Sequence, residues 1–231
     1  MKPQQYQIQE LVHKALIGDL VLPDIQRDFV WNTDRITELL DSLMREFPFG
    51  SLLFWETRFH EVQYRNFERD YQSGMRFTTK EKSLNEPKVM VLDGQQRLQS
   101  LIIALVGSFD GKKCYFDLLS GPSDTISEVE ELPDGFDFRF LSDEQYKAES
   151  KFPENRLPAH IWIPVSQVMS WEQRNLVKLA KDFCEKNRIP IDSEEGSLIT
   201  ENVQRLYYVV WGAARVTAVT VDESCYEPSM A

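Results

Sequence analysis

The sequence predicts an α+β fold, in which a small mixed β-sheet is flanked by helices and the C-terminal part is more helical. Amphipathic helical patterns alternate with short apolar runs along the 231 residues. Those runs are bounded by Gly, Pro and charged residues, as is typical of strands. Hydrophobic residues make up 42% of the chain and aromatic residues 12%, which is enough for a buried core.

The first predicted elements are a helix, a strand and a loop. Apolar side chains recur at helical spacing over residues 8–16, and Gly18 supplies a C-terminal stop. Residues 20–22 form a short extended run that leads into Pro23. Residues 24–32 mix polar and aromatic side chains without periodicity, so we expect a loop there.

The next helix has the clearest pattern in the chain. Asn32 or Thr33 can cap its N-terminus, and Asp34 suits the positive end of the helix dipole. The helix must end before Pro48. Its predicted apolar stripe consists of Ile36, Leu39, Leu40, Leu43 and Phe47.

The rest of the N-terminal part is predicted to contain a strand, an irregular excursion, and then two further strands with a helix between them. Residues 51–55 predict a buried strand, and the charged residues 57–87 predict the excursion. Residues 88–92 predict a second strand, which turns into a helix at residues 93–94. Residues 113–118 predict the strand that follows this helix.

Residues 121–133 are turn-rich and acidic, and they mark the best candidate for an internal boundary. We therefore expect a core over residues 1–120, and a helix-rich extension over residues 121–231 that packs on it within the same domain. Further strands are predicted at residues 136–140, 161–165 and 215–221, and further helices from residue 143 and over residues 171–187 and 197–210.

Charge and composition exclude several classes of protein. The net charge of -11 argues against non-specific DNA binding, because neutralising phosphates requires a surplus of Lys and Arg. Three dispersed cysteines and three histidines argue against a disulfide framework and a zinc site. The N-terminus lacks an apolar run, so we expect no signal peptide, and no apolar run in the sequence reaches membrane-spanning length. We expect a cytoplasmic protein with no membrane partner.

The segment VMVLDGQQRLQSLIIAL joins a strand, a turn and an amphipathic helix. This geometry points the backbone N–H groups of Gly94, Gln95 and Gln96 beyond the strand end, where helix N-termini bind phosphate. Gly94 permits a positive φ, and Arg97 adds a bidentate fork for phosphate. Asp93 can hold a metal ion, orient a water molecule or support the turn.

The residues of this pentapeptide support two interpretations equally. In the first it is a phosphate cradle, with the two glutamines contacting a ligand or a water molecule. In the second Asp93 only caps the helix, while the glutamines and Arg97 face solvent. The GxxxxGK[ST] pattern of a Walker A loop is absent from the sequence.

A second candidate site is the segment LPDIQRDFVWN, which contains Gln26 and Arg27. Arg27 can reach a phosphate, and Trp31 can stack on a base. An anchor in the core is the favoured interpretation of Trp31, whereas ligand contact is favoured for Arg27. The excursion also carries arginines among aromatics, including Arg58 and Arg65, but its acidic residues favour a solvated face over a DNA contact.

In this order and at this separation, LPDIQRDFVWN, FPFGSLLFWE and VLDGQQRLQSL resemble the N-terminal domain family of the GmrSD-type modification-dependent restriction systems. The resemblance covers roughly residues 8–118. It implies a ParB/sulfiredoxin-like fold, and nucleotide binding and hydrolysis linked to DNA recognition or cleavage in phage defence. Related proteins carry a nuclease domain further along the chain or on a partner, and we expect none within these 231 residues.

The resemblance also implies roles for individual residues. By motif position these are catalysis by Asp93, Gln96 and Arg97, nucleotide or phosphate binding by Gln26, Arg27, Gly94, Gln95 and Arg97, and metal binding by Asp93. Trp31, Arg58 and Arg65 are the candidate contacts to DNA or a base.

The leading functional hypothesis is a nucleoside triphosphatase domain, using GTP, ATP or another NTP with Mg²⁺, that regulates a restriction system. Its expected partners are the nucleotide, DNA that carries a modification, a nuclease domain or subunit, and a second copy of the chain. The alternatives are a non-catalytic sensor of modified DNA and a docking module for a partner nuclease. A nuclease activity of the chain alone is least expected, because no carboxylate–lysine or histidine constellation is recognisable.

Overall fold

The computed structural model describes residues 3–57, 63–81, 88–122, 135–152, 158–212 and 216–222. The helices are α1 (Ile8–Leu16), α2 (Thr33–Met44), α3 (Gln95–Val106), α4 (Asp143–Glu149), α5 (Leu176–Lys186) and α6 (Glu194–Trp211). The strands are β1 (Pro3–Tyr6), β2 (Leu20–Pro23), β3 (Ser51–Thr57), β4 (Gln63–Arg65), β5 (Asp70–Tyr71), β6 (Thr79–Glu81), β7 (Lys88–Asp93), β8 (Ser108–Phe109), β9 (Lys113–Asp117), β10 (Phe138–Leu141), β11 (Trp162–Pro164) and β12 (Val216–Asp222). Two 3-10 helices, Val165–Ser170 and Gln173–Asn175, precede α5.

The main sheet has seven strands in the order β1-β12-β3-β7-β2-β4-β6. It is mixed, because β12 runs parallel to β3 and β2 runs parallel to β7, while the other neighbours are antiparallel. Strand β12 comes from the C-terminal part of the chain, yet it lies between β1 and β3. A three-stranded antiparallel sheet, β10-β9-β11, and a two-stranded one, β5-β8, accompany the main sheet. The predicted α+β class is confirmed.

Helix α3 lies at the centre of the core. It packs against α1, α2, β9 and the 3-10 helix Val165–Ser170. Its side chains are buried on nearly all sides, including Leu98, Leu101, Ile102 and Leu105. A helix surrounded in this way is fixed in position, so its N-terminus is held at the end of strand β7.

Most local predictions agree with the structure, and two need correction. The predicted stripe of α2 included Phe47, but the helix ends at Met44 and Phe47 is 59% exposed. The reason is that Glu46 adopts a positive φ of 65°, which turns the chain out of the helix before Pro48. The helix predicted over residues 171–187 becomes regular only at Leu176, after a 3-10 turn.

The excursion predicted over residues 57–87 contains the short strands β4, β5 and β6 in its described part. Residues 123–134, which include most of the predicted boundary, and Arg58 lie outside the described residues. No helix within the described ranges is both long enough and apolar enough to cross a bilayer.

Candidate functional site

The DGQQR turn joins the last residue of β7 to α3. Gly94 is the N-cap of α3 and adopts φ 85° and ψ 8°, a left-handed conformation. A Cβ atom there would lie 2.1 Å from Cδ2 of Leu52, so only glycine fits without displacement. Within the described residues no side chain caps this N-terminus, so the first N–H groups of the helix have no side-chain acceptor.

Gln96 fastens the upstream loop, residues 24–32, to α3. Its side chain is only 7% exposed. Oε1 accepts a hydrogen bond from the backbone N–H of Val30 at 3.0 Å, and Nε2 donates to the carbonyl of Asp28 at 3.1 Å. The neighbouring Gln95 donates from Nε2 to the carbonyl of Arg27 at 3.4 Å. The two sequence motifs are therefore brought together, and the Gln96 amide is used to hold them.

Gln26 and Arg27 lie on this loop beside the end of β7. The Gln26 amide donates from Nε2 to the carbonyl of Leu92 at 2.5 Å. Its Oε1 atom is buried, and it accepts no hydrogen bond from the part of the chain that is described. Arg27 is exposed, and its guanidinium makes no hydrogen bond or ion pair to any described residue. A buried acceptor and an unengaged cation thus lie next to each other in the sequence, at the edge of the turn.

Arg97 is engaged with the turn that precedes β3. Nη1 donates to the carbonyl of Phe49 at 2.7 Å, and Nη2 donates to the carbonyl of Ser51 at 2.9 Å. The Asp93 carboxylate is 3.5 Å from Nη2. A Cβ atom on Gly50, between the two carbonyls, would lie 2.1 Å from Nη1, so the close approach requires glycine. Each terminal nitrogen of Arg97 thus donates one hydrogen bond to backbone, so the guanidinium is held against this turn and is not an unengaged phosphate fork.

The predicted DNA contact at Arg65 is wrong. Arg65 is 5% exposed, its Nη1 pairs with the Asp28 carboxylate, and its Nη2 donates to the carbonyl of Gln26. Its Nε lies 3.5 Å from the Asp24 carboxylate. Arg65 is thus buried, and its guanidinium supports the loop over residues 24–32 through these contacts. The mixed arginine, aromatic and acidic composition does not distinguish a buried arginine from a surface arginine, so neither the favoured solvated face nor the candidate DNA contact anticipated this burial.

Trp31 packs partly buried against the hydrophobic core, in agreement with the favoured anchor interpretation. The structure also exposes two apolar side chains that sequence reasoning did not single out. Ile25 is 94% exposed and Val30 is 63% exposed, and both lie on the same loop as Arg27. Hydrophobic character alone does not distinguish exposed from buried side chains on an aperiodic loop, and only the loop conformation reveals that these two face outward.

Asp93 is the candidate metal ligand, and its side chain is 72% exposed. Among the described residues, no group of three or more His, Cys, Asp or Glu side chains is arranged to hold a metal ion. The protein would thus offer one carboxylate at this turn. Such a site fits Mg²⁺ that arrives with a nucleotide, because Mg²⁺ commonly takes one or two carboxylates and completes its shell with phosphates and water.

In a comparison with known protein families, residues 8–210 of the chain match the family described as "GmrSD restriction endonuclease, N-terminal domain". The chain is also 39% identical over 98 residues to the uncharacterized protein MJ0686 of Methanocaldococcus jannaschii. That match covers 42% of this chain and 16% of the archaeal protein, so the chain spans a small part of the relative's length.

Proposed function

The chain belongs to the GmrSD restriction endonuclease N-terminal domain family and is a restriction-system component, and we propose that it binds and hydrolyses a nucleoside triphosphate to regulate that system. In this proposal nucleotide turnover is coupled to recognition of modified DNA, or to its cleavage by a nuclease domain or subunit. The proposal concerns the turn at Gly94 and the loop over residues 24–32 that is fastened to it.

The observation that carries the proposal is the buried Oε1 of Gln26, which has no donor among the described residues. A buried acceptor without a partner costs about 1–3 kcal/mol. A ribose hydroxyl or a base N–H would supply the missing donor once a small shift of the loop exposes this atom. The adjacent Arg27 and the uncapped N-terminus of α3 suit the phosphates of the same ligand.

The contacts divide the proposed roles between ligand binding and positioning. Arg27 and the first N–H groups of α3 bind phosphate, and Gln26 recognises the sugar or the base. Asp93 orients a water molecule or holds Mg²⁺, which when bound would neutralise charge on the phosphates. Gln96 and Arg97 act as positioning residues, because their side chains already bind backbone.

We test this with Arg27→Ala, measuring nucleotide affinity by thermal shift across a panel of NTPs, and phosphate release with and without modified DNA. Losing a charged hydrogen bond costs about 1.5–3 kcal/mol, so affinity should fall roughly 10- to 100-fold. Arg174→Ala is the matched control, because the Arg174 side chain is 81% exposed and belongs to a different segment. Unchanged affinity and turnover in Arg27→Ala would refute the assignment.

A docking function for a partner nuclease is the second candidate, and the exposed Ile25 and Val30 favour it. Apolar side chains on a loop that also carries a free arginine resemble the core of a protein interface. Under this alternative no NTP stabilises the wild-type protein, and Ile25→Ser with Val30→Ser abolishes co-purification with the nuclease. Stabilisation by an NTP that survives both serine substitutions would favour the nucleotide site instead.

A further inference from the structure

The buried Arg65 side chain ties the loop over residues 24–32 to strand β4. Strand β4 pairs antiparallel with β2, and Arg65 lies directly across from Leu22. Strand β2 ends at Pro23 and leads into the loop. The strand pairing therefore fixes the backbone of Arg65 beside the start of the loop.

The guanidinium of Arg65 contacts the residues on both sides of Arg27. Its Nη2 donates a hydrogen bond to the carbonyl of Gln26, and its Nη1 pairs with the Asp28 carboxylate. Arg27, which lies between these two residues, keeps its own side chain exposed. The carbonyl of Arg27 accepts a hydrogen bond from Nε2 of Gln95 at 3.4 Å. The main chain around Arg27 is therefore held by contacts from two separate elements, β4 and α3.

Contacts outside the loop fix the position of the Arg65 guanidinium. Its Cζ atom lies 5.8 Å from the centre of the Phe77 ring, which is itself buried. The Arg65 side chain is 6% exposed, so its charge would be costly to leave without a carboxylate. Asp24, at 3.5 Å from Nε, and Asp28 supply that negative charge from the loop. Because Arg65 is fixed by its strand and by Phe77, the loop adopts the position that the guanidinium requires.

We propose that Arg65 is a positioning residue of the nucleotide site, which holds the loop so that the exposed Arg27 guanidinium meets the phosphates. The inference rests on the proposed function, in which Arg27 binds phosphate. Arg65 acts through Arg27 and not on the ligand, because its own fork is directed at the loop. The small loop shift that exposes Oε1 of Gln26 pivots about these contacts. A loop without them would reach the binding conformation for only a fraction of the time, and the apparent affinity would fall in proportion.

The variant Arg65→Lys in the full chain tests this role. Lysine keeps the positive charge, but its ammonium group cannot replace a planar fork that binds a carbonyl and a carboxylate together. The KM for the nucleotide should rise roughly tenfold, which corresponds to a loop that is in the binding conformation about a tenth of the time. The kcat for phosphate release should stay within about twofold, because Asp93 and the N-terminus of α3 do not lie on the loop. An unchanged KM would overturn the proposal.

Arg205→Lys is the matched control for this substitution. Arg205 is half-buried, its Nη1 donates to the carbonyl of Met44 at 3.1 Å, and its Cζ lies 5.5 Å from the centre of the Phe136 ring. The control therefore removes similar contacts in another part of the molecule, and the KM should not change. An equal rise in KM for both lysine variants would reflect a general loss of stability and would count against the positioning role.

The double variant Arg65→Lys with Arg27→Ala separates positioning from folding. Because Arg65 acts through Arg27, the double variant should have the same KM as Arg27→Ala alone. Losses that multiply in the double variant would show that Arg65 acts independently of Arg27 and would contradict the proposal. A wild-type chain that binds no NTP would refute the proposed function and the positioning role together. If the wild type binds NTP and Arg65→Lys binds it equally tightly, the positioning role alone is refuted.

Discussion

At the scale of single residues, the DGQQR motif contributes both a glycine turn and side chains that hydrogen-bond to distant backbone. Gly94 supplies a turn that no other residue can adopt without strain, and Gln96 and Arg97 each bind a backbone segment distant in sequence. Among the described residues at this site, Arg27 and Asp93 are exposed, and Gln26 keeps an acceptor without a donor. The structure therefore moves the proposed ligand contacts from the second half of the motif to the loop before it.

Gly94→Ala should destabilise the protein more than an ordinary glycine substitution. The alanine would adopt a positive φ and its Cβ would collide with Leu52, which together cost about 2–4 kcal/mol. Gly111→Ala is the matched control, because Gly111 has φ 75° but a Cβ atom added there would meet nothing within 4 Å, so only about 1 kcal/mol is expected. Urea denaturation measures both. Equal losses in the two variants would show that the contact with Leu52 is unimportant.

At the scale of elements, α3 binds three backbone segments through its own side chains. Gln96 holds the loop over residues 24–32, and Arg97 holds the turn before β3. Gln99, which is 1% exposed, accepts from the backbone N–H of Glu68 at 3.1 Å and donates to its carbonyl at 2.5 Å. Gln96 and Gln99, which flank the arginine in QQRLQ, thus each bind a different backbone segment to α3.

Gln96→Ala and Gln99→Ala should separate fold stability from ligand binding. Each variant loses two part-buried hydrogen bonds to backbone, so each should lower the free energy of unfolding by about 1–3 kcal/mol. Only Gln96→Ala should also weaken nucleotide affinity and speed hydrogen exchange at the Val30 amide, because only Gln96 holds the loop that carries Arg27. Exchange at Val30 that is equally fast in both variants would contradict this division.

The sequence predicts local elements of this protein much better than the contacts between them. Helix α2 was predictable because its cap and its stripe lie within one short segment, and Asn32 indeed accepts from the N–H of Arg35. The bond from Gln26 to Leu92 spans 66 residues, and the bond from Arg97 to Phe49 spans 48. No periodicity encodes such pairings, so the true partners of Arg65 and Arg97 required the fold.

At the scale of the whole molecule, the main sheet unites the two ends of the described chain. Strand β12 pairs with β3 over six residues and with β1 over four, so it connects β1 to the rest of the sheet. Helix α6 packs against both α1 and α2. We propose that the predicted core over residues 1–120 and the extension over residues 121–231 form one cooperative domain.

A fragment of residues 1–120 should therefore fail to fold by itself. It would lack β12, leaving β3 as an unpaired edge and β1 without its neighbour. Far-UV circular dichroism and the dispersion of amide NMR signals would measure this against the full chain. A dispersed spectrum with cooperative melting for the fragment would show that the core is autonomous.

The position of β12 also has a consequence for synthesis on the ribosome. Strand β12, which joins β1 to the rest of the sheet, is translated after every helix in the described residues, so the sheet remains incomplete until residues 216–222 have emerged. Pairings between segments so far apart are slow to form, and exposed strand edges favour aggregation in the meantime. Production in cells should thus benefit from slower translation or lower temperature, which gives the nascent chain time to insert β12.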